Sequence, residues 1–391
     1  MRSLLSFVPG LGHAQHGRTG RGVILALVWL ALLSVAVFGR ARVAQAFSTP
    51  TPEEIRAGSV WSGPDAKAAV IVLYAGLVLI PVFSAWDCRR LRRGAPGRRV
   101  GESQWKAVYR RFGRNPVART GLGLVLVLYA VALLAPLLAP HDPNAQVDIV
   151  ETRYLAPGSV HVTDAGSRSF LLGTDKFGRD VLSRIIYGSR ISLTIGFVAV
   201  GIAVTLGTLL GALAGYFGGK TDWLIMRFVD VLMAFPRIFL VLTLIAIYRP
   251  SIWLIVAVIG ATAWMGVARI VRGQILSLKE QEFMQAARAL GMPHARVILR
   301  HVLPNTISPV IVAASLMIGD VILTEATLSF LGLGVQPPTA SWGNLINQGR
   351  DNLLGAWWIA TFPGLAIVAT VVSYNLLGDG LRDALDPRLK S

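Results

Sequence analysis

The sequence predicts an all-α polytopic membrane protein, on three observations. Apolar residues make up 53% of the 391 residues and charged residues only 15%, too few for a soluble surface. Several uninterrupted apolar runs are long enough to cross a bilayer as helices. The net charge of +17 is concentrated beside these runs, as expected of cytoplasmic loops. We therefore expect contact with the lipid bilayer and no nucleic-acid partner.

The apolar runs predict about eight transmembrane helices. These are Gly22–Phe38, Ala68–Trp86, Gly121–Leu138, Ile191–Tyr216, Trp223–Tyr248, Ser251–Val267, Ile307–Leu328 and Trp357–Leu377. The arginines between residues 89 and 99 follow the second run and place that loop in the cytoplasm. Basic loops at 89–119 and 269–301, against a nearly balanced loop at 141–190, then put the C-terminus in the cytoplasm.

The first run also resembles the apolar part of a cleaved signal peptide, with Ala44-Gln45-Ala46 as a cleavage site. A front region of 21 residues, and Arg40 and Arg42 before that site, favour an uncleaved anchor. Residues 1–103 are accordingly predicted to be a two-span extension of unknown role.

Two features of the middle spans predict how the helices pack. The fourth span has a face of small residues on which another helix can approach closely, formed by Gly196, Gly201, Gly207, Gly211 and Gly215. The fifth span contains Pro236, which lacks an amide donor and predicts a kink.

Charges inside spans are costly and are expected to face protein or water. Arg237 and Asp320 both lie roughly 20 Å from the inner face at about 1.5 Å per residue, so we hypothesise that they pair or line a translocation path. Arg227 and Asp230, at i and i+3, are expected to pair with each other. Glu325 is expected either to cap the broken helix at the glycines 332 and 334 or to contact substrate at a path or gate.

The 141–190 loop contains a further set of charges. Asp175, Arg179, Asp180 and Arg184 predict a lattice of surface ion pairs worth about 0–1 kcal/mol each, whose role is geometric.

Segment 281–305 is polar and basic and lies between two apolar runs, so we expect it in water beside the membrane. Its apolar side chains recur as one stripe of a short helix, namely Phe283, Ala286, Ala287 and Leu290. Gly291 can adopt the positive φ that ends a helix. A second short helix is predicted to begin at Val297 and to end at Pro304. The result is a compact projection that a partner can receive in a groove.

The pattern Ala286-Ala287-x3-Gly291, followed by Leu303-Pro304, resembles the coupling motif of ABC importer permeases, in particular the dipeptide, oligopeptide and nickel group of OppC/DppC-like subunits. Two positions depart from it: Gln285 replaces the motif's Glu, and His301 replaces its Ile. We call residues 281–305 the coupling segment. The resemblance implies contact with an ATPase by Phe283, Gln285, Ala286, Ala287, Leu290, Gly291, Leu303 and Pro304.

The resemblance covers about residues 105–391 and includes LGTDKFGRDVLSRIIYGSRISL at 172–193. It implies three parts: the extension 1–103, an N-terminal permease region with the first core span at 104–160, and the permease domain at 188–391. Six of the eight spans then form the permease core.

The sequence offers no enzyme site. AGYFGGKT at 214–221 nearly matches a phosphate-binding loop, but Ala214 replaces the first Gly and no strand precedes it. The six His are scattered and Cys88 is the single Cys, so we predict no catalytic residue, no metal site and no cofactor. ATP hydrolysis is then expected on partner subunits.

The resemblance implies the membrane permease subunit of an ATP-driven importer of di- or oligopeptides, in the cytoplasmic (inner) membrane. Its implied partners are a homologous second permease, two ABC ATPases and an extracytoplasmic solute-binding protein. Three alternatives remain: a permease for nickel or another small solute, a proton-coupled secondary transporter using Asp230, Asp320 and Glu325, and a signalling or scaffold protein.

Overall fold

The computed structural model describes residues 19–47, 64–93, 104–146, 148–163, 166–248 and 251–385. The segment before Thr19, and Arg98 and Arg99 of the predicted basic cluster, lie outside these ranges. The described chain is a helical membrane protein, as the sequence predicts, and it also has one small β-hairpin that the sequence did not predict.

The helices follow one another along the chain with one hairpin between them. In the first half they are α1 Thr19–Phe38, α2 Arg40–Gln45, α3 Pro64–Arg93, α4 Gln104–Arg114, α5 Pro116–Leu133, α6 Ala135–Leu138 and α7 Ile149–Thr152. Strands β1 Ser159–Thr163 and β2 Gly166–Phe170 pair antiparallel, with Ser159 opposite Phe170. The second half comprises α8 Val181–Phe217, α9 Gly219–Ala234, α10 Arg237–Ile247, α11 Ile252–Lys279, α12 Glu282–Ala289, α13 His294–Val297, a π-helix Ile298–Val302, α14 Leu303–Phe330, α15 Trp342–Arg350 and α16 Trp358–Leu385.

Six of the described helices are long and apolar enough to cross a membrane, and a bent pair makes a seventh. The bent pair is α9 and α10, which meet at 85°. The eighth predicted span, Gly22–Phe38, lies in α1, whose apolar part Leu25–Val37 is shorter than the about 20 residues that a span requires. Among the described residues the candidate spans therefore number six, or seven with the bent pair, against the about eight predicted.

The chain divides into two compact units. The first comprises Met1–Ser103 and Ala130–Tyr187, and the second comprises Gln104–Tyr129 and Gly188–Ser391.

In the first unit, the N-terminal helices pack on α6. Leu73 of α3 is fully buried in a cluster with Leu134 and Leu137. Arg42 of α2 donates to three carbonyl oxygens at the end of α6: Leu137 at 2.8 Å, Ala139 at 2.7 Å and Pro140 at 3.2 Å. Carbonyl groups at the C-terminal end of a helix have no hydrogen-bond partner within the helix. The Arg42 guanidinium therefore supplies donors that these carbonyls would otherwise lack. Burial lowers the pKa of Arg42 from its usual value.

In the second unit, the predicted small-residue face of α8 packs against other helices. A Cβ at Gly207 would lie 2.7 Å from the Trp264 carbonyl oxygen, and one at Gly211 would lie 2.5 Å from the Ala268 carbonyl oxygen. Gly196 and Gly215 are equally close to neighbouring side chains, whereas Gly201 has nothing within 4 Å. The prediction is confirmed at four of its five glycines.

Replacing Gly211 by Ala should destabilise the protein, because the new methyl group would meet the backbone of Ala268 at 2.5 Å and 3.0 Å. We expect a loss of about 1–3 kcal/mol, typical of overpacking. Thermal unfolding of the detergent-purified chain measures it. Gly201→Ala is the matched control, since its methyl group enters open space and Ala favours a helix by about 0.5–1 kcal/mol over Gly. Equal melting temperatures for the two variants would contradict the packing described.

Candidate functional site

The coupling segment is two helices joined by a turn at Gly291. The first is α12, and Gly291 follows it with φ of +65°. The second helix begins at His294, three residues before the predicted start at Val297. It runs through the π-helix directly into α14, so that His294–Phe330 forms one long helix.

The prediction that Pro304 ends the second helix was wrong. Pro304 is the second residue of α14, directly after the π-helix. In a regular α-helix its ring would clash with the carbonyl of Arg300, four residues earlier. A π turn is wider than an α turn and relieves that crowding, so the helix continues past the proline.

Within the second unit, the coupling segment packs through one face of α12, which includes Ala287 of the predicted stripe. The buried residues are Met284, fully enclosed, and Ala287. They pack in a cluster with Val271 and Ile275 of α11 and with Val297 of α13. At the turn, the Tyr216 hydroxyl lies 2.8 Å from Nδ1 of His294.

The rest of the predicted stripe points away from the chain. Phe283 is 40% exposed and Leu290 is 77% exposed, and Ala286 and Gln285 are exposed beside them. Leu303 is half-buried and Pro304 is exposed. Phe283, Ala286 and Leu290 therefore form an apolar patch that the described residues leave uncovered, which we call the coupling patch.

The acidic residues of α9 pair with arginines of α11, not within α9. Asp230 accepts from Nη2 of Arg269 at 2.6 Å, and Asp222 accepts from Nη2 of Arg272 at 2.6 Å. The expected pairing of Asp230 with Arg227 was wrong. Sequence spacing shows neighbours on one helix and cannot show that α11 brings a guanidinium closer.

The structure brings Arg237 and Asp320 together. The Nη1 atom of Arg237 lies 2.6 Å from Oδ2 of Asp320, with side chains 31% and 60% exposed. Arg237 is the first residue of α10, directly after Pro236, where the 85° break reorients the chain. Its Nε and Nη2 atoms are enclosed and make no hydrogen bond within the described residues.

Glu325 is fully buried between α14 and α15. Its Oε1 atom accepts from the Ser329 hydroxyl at 2.7 Å and from the Ser341 hydroxyl at 3.1 Å. Ser341 also caps α15 by accepting from the Asn344 amide, and Ser329 accepts from the Val335 amide. Glu325 thus reaches the break after α14 through two serines, while Gly332 turns the chain there with φ of +82°. Nothing in the sequence marked Ser329 or Ser341 as partners.

The charged group in the first unit is buried and not on the surface as predicted. Asp175 lies 2.8 Å from Nη2 of Arg179 and 3.5 Å from Nε of Arg184, with all three side chains at most 2% exposed. Asp180 accepts from the Ser183 hydroxyl at 2.6 Å instead of joining the lattice. Burial raises the pKa of the Asp180 carboxyl, against the hydrogen bonds from Ser183.

Replacing Glu325 by Ala should lower stability by about 1–3 kcal/mol, because two buried hydroxyls lose their acceptor. Glu325→Gln keeps an acceptor oxygen and should lose less. Thermal unfolding in detergent measures both, with Thr324→Ala as control, since the Thr324 hydroxyl bonds only its own helix and is exposed. An Ala variant with wild-type stability would remove the anchoring role of Glu325.

Two family models match the chain. The model described as binding-protein-dependent transport system inner membrane component matches residues 207–391, and the N-terminal TM domain of oligopeptide transport permease C matches residues 103–157.

Several similar proteins match this chain over most of their own length. The oligopeptide transport system permease protein OppC of Haemophilus influenzae is 43% identical over 74% of this chain and 90% of that protein. The dipeptide transport system permease protein DppC of Alkalihalophilus pseudofirmus is 39% identical over 74% and 91%. The glutathione transport system permease protein GsiD of Pectobacterium atrosepticum is 42% identical over 73% and 92%. Among solved structures, an inward facing form of the MetNI methionine ABC transporter matches 52% of this chain and 96% of that chain, with a TM-score of 0.43 and 17% identity.

Proposed function

Because the chain belongs to the family of binding-protein-dependent inner membrane permeases, and within it to the OppC/DppC-like peptide permeases, we propose that it forms half of the pathway of an ATP-driven peptide importer. It is a multi-pass inner membrane protein and a transport subunit, not an enzyme. The other half is a homologous permease, since one six-span core encloses only part of a path. The bent pair α9–α10 counts as one of those six spans.

The coupling patch is the proposed contact with an ATPase. Phe283, Ala286 and Leu290 are apolar and exposed. An exposed apolar patch commonly marks a surface that a partner protein covers. A short helix that lays such a face into a groove is a common way for one protein to hold another. The buried face, Met284 and Ala287, meanwhile fixes α12 to α11, so a push on α12 reaches the spans.

The route from the patch to the path runs through one helix. The segment from His294 continues into α14, which carries Asp320 and Glu325. Movement of α12 by two closing ATPases would tilt this helix at its coupling end. Nucleotide can shift the equilibrium between outward- and inward-facing states only if the ATPases contact the segment differently in the two states.

ATP hydrolysis is assigned to the partner subunits. Residues 214–221, the near match to a phosphate-binding loop, comprise the last turn of α8, Gly218 and the first three residues of α9, so a helix and not a strand precedes the glycines. An extracytoplasmic binding protein delivers the substrate on the face opposite the coupling segment. The same orientation puts the C-terminus in the cytoplasm.

The proposed substrates are short peptides, because the similar proteins named above are called oligopeptide, dipeptide and glutathione permeases. The contacts speak against a proton-carrying transporter. Asp230 and Asp320 each lie 2.6 Å from an arginine, and Glu325 is sealed between two serines. Nickel or another small solute is the outcome expected if the associated binding protein holds no peptide.

The ion pair between Arg237 and Asp320 is the proposed polar element of the path. It joins the break at Pro236 to α14 at 2.6 Å, and more than half of the Asp320 side chain is open. Two charges left exposed on apolar spans are costly unless they face protein or water. A water-filled path between two permeases meets that need.

Replacing Leu290 by Glu should weaken capture of the ATPase, because a charge enters the centre of an apolar contact. We expect at least a tenfold loss of co-purified ATPase and of peptide-stimulated ATP hydrolysis, comparable to the loss of one apolar anchor of about 1.4 kcal/mol or more. Leu354→Glu is the matched control, since Leu354 is fully exposed but lies after α15, away from the coupling segment. If both variants retain the ATPase equally, the coupling patch is not the contact.

Reversing either charge of the pair, Arg237→Asp or Asp320→Arg, should reduce peptide uptake, because two like charges would then face each other across 2.6 Å. The double reversal should restore part of the uptake. Uptake of a labelled dipeptide by proteoliposomes with the complete transporter measures this, and ATPase co-purification controls for assembly. Full uptake by both single variants would exclude the pair from the path.

A further inference from the structure

We propose that Asp148, Glu151 and His161 bind a divalent transition-metal cation. These residues lie in the first unit, between α6 and α8. Each offers one ligand atom, and the three atoms lie within 4.8 Å of one another. The sequence predicted no metal site because its histidines show no paired spacing, yet the fold collects one His and two carboxylates from a helix start, a helix and a strand.

The imidazole of His161 is the strongest sign of a ligand. Its side chain is only 10% exposed, and its Nε2 atom is enclosed without a hydrogen-bond partner among the described residues. A buried polar atom normally has a partner, and leaving it without one costs free energy. The nearest opposite charge is Oε2 of Glu151 at 3.9 Å, which is too far for a hydrogen bond. A cation between these two atoms would satisfy both.

The carboxylate of Asp148 is also available. Asp148 is the residue before α7 and has φ of +43°, but its side chain makes no capping hydrogen bond. Asp is favoured at such a position because its side chain can cap the helix, yet the Asp148 carboxylate does not cap α7. Asp148 and Glu151 are both exposed, so their side chains can rotate toward His161 without a change in the backbone.

The distances fit a bound ion after a small adjustment. Zn²⁺ bonds of about 2.0–2.2 Å at tetrahedral angles place ligand atoms about 3.4 Å apart. From the limit of 4.8 Å, the trio must contract by at most about 1.4 Å, which rotation of two exposed carboxylate side chains can supply. Water would complete the coordination.

Charge and ligand type set the class of cation. Two carboxylates and a neutral imidazole carry a charge of −2, which a divalent ion neutralises. Arg168 lies opposite His161 on the neighbouring strand, so both carboxylates are needed to offset its repulsion of a cation. Imidazole favours Zn²⁺, Ni²⁺ or Cu²⁺ over Mg²⁺ and Ca²⁺, which prefer oxygen ligands. Bound metal would join α7 to the β1–β2 hairpin.

The test is calorimetric titration of the detergent-purified full chain with ZnCl₂, and with MgCl₂ and CaCl₂ for comparison. We expect one Zn²⁺ per chain, no heat from Mg²⁺ or Ca²⁺, and at least a tenfold weaker Kd in His161→Asn and in Asp148→Asn. Asn suits the left-handed backbone at position 148, so that variant removes the charge and keeps the fold.

Matched controls separate this site from other surface groups. His301→Asn and Asp351→Asn remove a His and a carboxylate from the second unit and should leave the stoichiometry and Kd unchanged. Zn²⁺ should also raise the melting temperature of the wild type and not of His161→Asn. Absence of binding, or equal binding by His161→Asn and the wild type, would overturn the proposal and leave His161 and Glu151 as a simple ion pair. The outcome does not depend on transport.

Discussion

The close approach of α8 and α11 is the constraint on which the coupling segment depends. Gly207, Gly211 and Gly215 lie on the face of α8 that meets α11, and their missing side chains let the two backbones come nearly into contact. The residues that fill this seam, among them Val267 and Ile275, are also part of the cluster that receives α12 and α13. In lipid, van der Waals packing rather than the exclusion of water drives the association of apolar helices. Small residues at the seam therefore contribute directly to the stability of the helix pair.

This arrangement explains why the coupling segment is both anchored and exposed. Met284 and Ala287 fit the surface that α11 presents, while the adjacent face of α12 stays open. Ala286 and Ala287 are neighbours in sequence but lie on the open and the buried face, respectively.

The sequence predicted the helical class, the glycine seam and the turn at Gly291, because each rests on local chemistry or on composition. It failed where distant elements decide. Periodicity placed Ala287 on one stripe with Phe283 and Leu290, whereas packing on α11 buries Ala287 and leaves the other two exposed. Asp230 was assigned to a neighbour on its own helix because the approach of Arg269 depends on packing. Likewise, Asp148 and His161 become neighbours only when the hairpin folds back on α7.

The π-helix at Ile298–Val302 has a consequence for helical phase. An α-helix rotates by about 100° per residue, whereas a π turn holds more residues in each turn. A π turn therefore shifts the angular position, around the helix axis, of every side chain that follows it. The orientation of Asp320 toward Arg237 and of Glu325 toward Ser341 is therefore set in register with this wide turn. If the turn tightened to an α turn, α14 would rotate about its own axis and both residues would leave their partners. The coupling segment thus contains a means of rotating α14 about its axis as well as a means of tilting it.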